Sequence, residues 1–102
     1  MSINEFIEVC ERLDWKVEDN GKYLELQKYS PAGEDYSISV EKDDFMEDVY
    51  NAWASFDIDE HAAGWYEAGK NRCSGVPSLR TLVWDAEQIS KMLEQLYYVT
   101  IR

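Results

Sequence analysis

Histidine occurs once, at His61, and cysteine only at Cys10 and Cys73, so chemistry that needs several such side chains together has little to draw on. The cysteine spacing matches neither a zinc site nor a redox pair. Cys10, on the apolar stripe of a helix, and Cys73, in a loop, are both read as ordinary thiols. No window holds the roughly 18 apolar residues that a membrane span requires. The N-terminal "MSINEFIEVCERLD" is acidic where a signal peptide would be basic and then apolar. A cytoplasmic location with no membrane contact is therefore expected. Bases are scarce too: 10 Lys and Arg stand against 21 Asp and Glu, for a net charge of -11. That balance repels nucleic acid and anionic membranes, so direct nucleic-acid binding is not expected.

What is present argues for one folded unit. A chain of 102 residues supports one core. Its 45% hydrophobic content, with four Trp and seven Tyr, is too apolar for a disordered acidic tail. The charge is polarised along the chain. Between Glu41 and Glu67 there are nine acids (Glu41, Asp43, Asp44, Glu47, Asp48, Asp57, Asp59, Glu60, Glu67) and one base, Lys42. Between Ala68 and Trp84 there are three bases (Lys70, Arg72, Arg80) and no acid.

Hydrophobic periodicity divides the chain into elements. Ser2 and Glu5 form a capping-box pattern, and Ile3, Phe6, Ile7, Cys10 and Leu13 recur at helical spacing, which predicts a helix over 3–13. The period then changes to two. Trp15 and Val17, an Asn20-Gly21 turn, and Leu24 and Leu26 predict a hairpin. After "SPAGED", Tyr36, Ile38 and Val40 alternate with Ser37, Ser39 and Glu41 as a third strand. Helical spacing returns at Asp43, with Phe45, Met46, Val49, Ala52, Trp53 and Phe56 inward. A short third helix, capped by Asp57 with Glu60 and lined by Ile58, Ala62 and Trp65, weakens at Gly64 and Gly69. After a loop over 69–78, a long fourth helix starts near Pro77 and runs to about Tyr98. Its inward stripe is Leu79, Leu82, Val83, Ala86, Ile89, Leu93, Leu96 and Tyr97. A single α+β domain over 1–102 follows: a three-stranded antiparallel meander covered by helices, in the order α-β-β-β-α-α-α.

No catalytic or cofactor signature stands out, and no enzyme, metal or cofactor is expected. "DIDEH" gathers Asp57, Asp59, Glu60 and His61, but a helix would direct Asp59 away from the others. Capping carboxylates and an exposed histidine are the simpler reading. A hydrolase built around His61 would need a nucleophile and an orienting group that no local motif supplies. The remaining feature is the acidic ridge. Asp44, Glu47, Asp48 and Asn51 fall at i, i+3, i+4 and i+7, away from the apolar stripe. Helix-dipole complementarity and solubility account for Asp43 and Asp44. They account less well for Glu47, Asp48, Asp57, Asp59 and Glu60, which extend one sign past the first turn. Carboxylates one helical turn apart, roughly 5–6 Å, lie near the phosphate spacing of a nucleic-acid strand. A docking face for a basic protein and a solvated face are both consistent with the pattern. Trp84, Tyr23 and Tyr29 fall on outward faces, where Trp84 and Tyr29 are candidate anchors.

With "YSPAGEDYSISVE" (29–41), "SFDIDEHAAGWYEA" (55–68) and "SGVPSLRTLVWDAEQI" (74–89), the chain resembles a family of small acidic proteins from bacterial plasmids, conjugative elements and phages, over most of residues 23–97. Genomic neighbours of such proteins are often counter-defence factors, including antirestriction and anti-CRISPR proteins, several of which are acidic and imitate DNA. The resemblance implies an inhibitor of a nuclease and carries over no site residues. The expected partner is a basic nucleic-acid-binding protein, a CRISPR effector or a restriction enzyme. The alternative is a structural or regulatory module that self-associates through its C-terminal helix. Either a monomer or a homodimer fits these readings.

Overall fold

The computed structural model describes residues 1–70 and 77–101, with backbone alone at 69 and 70; Cys73 and Arg72 lie outside the described residues. The elements are α1 (Ile3–Arg12), β1 (Lys16–Asp19), β2 (Tyr23–Tyr29), β3 (Asp35–Glu41), α2 (Phe45–Ala54), α3 (Ile58–Lys70) and α4 (Leu79–Thr100). Three antiparallel strands in the order β1-β2-β3 form one sheet, so the architecture is α+β in the expected order. No helix among the described residues is long and apolar enough to cross a membrane.

Local chemistry explains each boundary. Ser2 Oγ accepts the Glu5 N–H at 3.2 Å while Glu5 Oε1 accepts the Ser2 N–H at 3.1 Å, closing the capping box of α1. These hydrogen bonds hold the Glu5 carboxyl below its ordinary value. The hairpin between β1 and β2 forms, but its central pair is Gly21-Lys22, one residue beyond the expected Asn20-Gly21: the Asn20 N–H donates to the Tyr23 carbonyl at 2.9 Å, Gly21 at φ 87° supplies the left-handed residue, and Asp19 Oδ1 accepts its N–H at 2.9 Å. Strand alternation then sends Leu24, Leu26 and Val40 inward. They meet Phe6, Val9, Cys10 and Trp15 from the N-terminal segment, Phe45 and Val49 from α2, and Leu93 and Leu96 from α4. Each large side chain so buried contributes about 1.5–3 kcal/mol. Burial also pushes the Cys10 thiol up to about 12, so it stays protonated at neutral pH.

Three boundaries differ from the sequence expectation. α3 continues through Gly64 and Gly69 to Lys70. Its packing on α4, through Ala62 against Leu82 and Ala86, offsets the roughly 1 kcal/mol that each helical glycine costs. α4 starts after Ser78, whose Oγ accepts the Thr81 N–H at 3.2 Å, and extends to Thr100. Leu79, placed in the inward stripe by periodicity, is 44% exposed, one turn short of the packed seam that begins at Leu82.

Candidate functional site

The acids expected to form one ridge divide into four groups. Asp43, Asp44 and Glu47 are exposed around the N-terminus of α2 and enter no ion pair among the described residues. Asp44 occupies the N-cap position, but its side chain makes no capping hydrogen bond, so capping does not explain it. Asp48 leaves the ridge. It is half-buried, and Oδ2 accepts the Glu41 N–H at 2.7 Å, tying the end of β3 to α2. Asp57 and Glu60 are exposed too, but both line a cleft beside α3, where Asp57 Oδ1 caps the Glu60 N–H at 3.0 Å. Only Asp59 of the "DIDE" segment is exposed without either role.

The open face of the sheet extends the negative surface instead. Glu18 on β1 pairs directly opposite Glu25 on β2, and Glu41 ends β3 on the same face, leading into Asp43 and Asp44. Like charges directly opposite on paired strands are destabilising. Lys42, the one base in the "EKDDFMED" run, reaches away to Asp19 at 2.8 Å and does not neutralise its neighbours. That hydrogen bond is the main reason the Asp19 carboxyl lies below its ordinary value, with the Gly21 N–H second. The sequence reading did not single out Glu18; alternation along β1 and β2 is the signal that could have set it and Glu25 opposite the inward residues, and their pairing required the register.

The expected anchors are redistributed. Trp84 is 48% exposed and Tyr29 65% exposed, as their outward positions imply. Tyr29, however, pairs with Asp35 at the far end of β2, about 20 Å from the Glu41 end. There it lines a groove with Lys28 and Lys91, away from the α2 acids. The aromatic beside the acids is Tyr23, whose Oη donates to Glu41 at 3.2 Å. A further aromatic surface joins α2 and α4: Tyr50, Trp53, Tyr97 and Tyr98 pack edge-on or tilted against one another at 5.2–6.2 Å between ring centroids. Tyr50 and Tyr98 are each 45% exposed.

His61 is not the exposed residue that the sequence suggested. Its Nε2 lies 2.7 and 2.9 Å from the two Glu34 oxygens, with both side chains mostly buried. An ionised carboxylate only accepts, so Nε2 is the donor. The partner comes from 27 residues away, beyond the reach of local motif reading. Glu34 is placed by a tight turn in which Ser30 Oγ accepts its N–H at 2.9 Å and Asp85 Oδ1 accepts the Ala32 N–H at 2.8 Å. Asp85 sits on α4 with 0% exposure, and its Oδ2 has no partner among the described residues. It is a buried acid that the helical pattern hid, because it falls between Leu82 and Ala86 on the inward face. Around the pair opens a cleft of about 810 Å³, walled by Tyr36, Phe56 and Trp65 and including Asp57 and Glu60. Burial, reinforced by the Glu34 charge, pushes the Tyr36 phenol up to about 12. All the cleft residues except Ala52 come from the 29–41 and 55–68 stretches, and the 74–89 stretch supplies the Asp85 that holds the turn. No family model, curated protein or solved structure matches this chain.

Proposed function

We propose that the protein is a non-catalytic counter-defence inhibitor that binds a basic nucleic-acid-binding protein, a CRISPR effector nuclease or a restriction enzyme, through an acidic face standing in for nucleic acid. One observation carries the reading: the fold leaves Asp43, Asp44 and Glu47 exposed with no ion pair among the described residues, while the adjacent Lys42 is engaged by Asp19. Glu18 opposite Glu25 adds to the same sign. Such self-repulsion lowers stability, and a cationic partner relieves it. The docking face is therefore Asp43, Asp44 and Glu47 with the Glu41 end of the open sheet face, and Tyr23 replaces Tyr29 as its aromatic neighbour; Asp59 opens α3 beyond the far end of α2 and is left out of it. Asp48 acts within the fold, and Asp57 and Glu60 belong to the cleft.

The test is nuclease protection. Purified effector or restriction enzyme cleaves a plasmid in the presence of the wild-type protein or a variant carrying Asp43→Lys, Asp44→Lys and Glu47→Lys. Inhibition is expected for the wild type, weakening steeply between about 50 and 200 mM salt, and is expected to vanish in the variant. Equal inhibition by a folded variant refutes the acidic-face reading, and no inhibition of either enzyme class by the wild type refutes the function. The exposed ring cluster of Tyr50 and Tyr98 favours a second reading, self-association through α4. Light scattering on the same samples at two concentrations decides it, since that reading requires a mass that rises with concentration.

A further inference from the structure

The cleft beside α3 joins two kinds of lining. Its charged members are Glu34, Asp57, Glu60 and the Glu34-paired His61, and no Lys or Arg lines it among the described residues. Its walls carry three rings, Tyr36, Phe56 and Trp65. Tyr36 stands edge-on to Phe56 at 5.8 Å and 85°, so the ring faces meet at a corner. An apolar ligand would strip water from carboxylates without offering them a donor. An anion would meet repulsion. For a metal ion, no three ligand side chains converge among the described residues. A flat cation suits both linings, because carboxylates accept its N–H groups in a fork while ring faces attract its π surface.

We propose that this cleft receives an arginine side chain of a basic polypeptide, with the guanidinium held between the Asp57 and Glu60 carboxylates and against the Phe56 and Trp65 rings. Asp57 uses Oδ1 to cap α3, which leaves Oδ2 for the ligand. Arginine is favoured over lysine because its planar fork matches paired carboxylates and stacks on aromatic faces, whereas an ammonium is a compact, strongly hydrated point charge. The Glu34–His61 pair forms the inner wall and is fixed by the Asp85-anchored turn, so the site is formed before the ligand arrives. Gly64 lines the same cleft, and a Cβ built there meets nothing within 4 Å. A side chain at 64 therefore begins in the open volume.

The choice of a basic polypeptide rests on the function proposed above, but the cleft's preference for a guanidinium does not. Isotope-labelled protein is titrated with the peptide acetyl-Gly-Arg-Gly-amide, and with its lysine and citrulline counterparts, while backbone and Trp65 indole resonances are followed by NMR. Saturable shifts centred on His61, Gly64 and Trp65 are expected with arginine, weaker ones with lysine and none with the uncharged citrulline peptide. Glu60→Gln is expected to weaken binding about fivefold. Gly64→Leu, which raises helix propensity and keeps the fold, is expected to abolish it. Equal shifts from citrulline, shifts centred on α2 or the open sheet face, or unchanged binding by the Gly64→Leu variant each overturn the proposal. The α2 charge-reversal variant should still bind the peptide. Loss of nuclease inhibition with peptide binding intact thus separates failure of the function from failure of this site.

Discussion

Asp85 offers the sharpest test of how the cleft is built. Its carboxylate is fully buried on α4, Oδ1 accepts the Ala32 N–H at 2.8 Å, and Oδ2 is unpartnered among the described residues. Comparing Asp85→Asn with Asp85→Ala removes the acid from both variants, so its desolvation cost cancels. The asparagine keeps a carbonyl oxygen for Ala32; the alanine leaves that N–H without a partner and a small void in the helix seam. The lost hydrogen bond is worth about 1–1.5 kcal/mol and the void about 1 kcal/mol more. The asparagine variant should therefore be the more stable of the two by about 2 kcal/mol, a Tm gap of roughly 8–16 °C for a domain of this size. Thermal unfolding followed by circular dichroism reads the order. Amide exchange at Ala32 reads the mechanism, with protection kept in the asparagine variant and lost in the alanine variant. Equal Tm values for the two variants, or an Ala32 amide protected in both, would refute the claim that Asp85 pins the turn.

Two other perturbations address the charged surface. The Asp19 carboxyl is depressed below its ordinary 3.8 in the folded state, so the Lys42 pair contributes stability above that pH and loses it as pH falls through the folded value. Asp19→Asn should flatten the acid limb of a stability–pH curve, which urea titrations between about pH 2 and 5 would show. Glu25→Lys places an opposite charge across from Glu18 and should stabilise the sheet by about 0.5 kcal/mol, raising Tm by roughly 2–4 °C. The same change should weaken nuclease inhibition if the open face contacts the partner; a stabilised variant with undiminished inhibition removes that face from the interface.

The elements were legible because their causes are local. Ser2 with Glu5, the turn at Gly21, and the change from period two to helical spacing at Asp43 act within a few residues. Hydrophobic burial then follows whichever face the period selects. The order α-β-β-β-α-α-α and the inward residues Leu24, Leu26, Val40, Val49 and Leu93 needed nothing more. Local reading failed where long-range packing competed with propensity, as in the glycine-interrupted α3 that its seam with α4 carries on to Lys70.

The acid content and its concentration after Glu41 were determined by the sequence alone, because charge is a property of residues wherever they lie. Which acids share a face was decided only by tertiary structure. Asp44 and Asp48 look alike at helical spacing, yet the Glu41 N–H captures Asp48 and leaves Asp44 in water. Glu34, His61 and Asp85 look like three unrelated polar residues until the β2–β3 turn is folded between α3 and α4. Hydrogen bonds to partners 27 and 53 residues away depend on how the layers stack. No periodicity along the chain encodes that geometry.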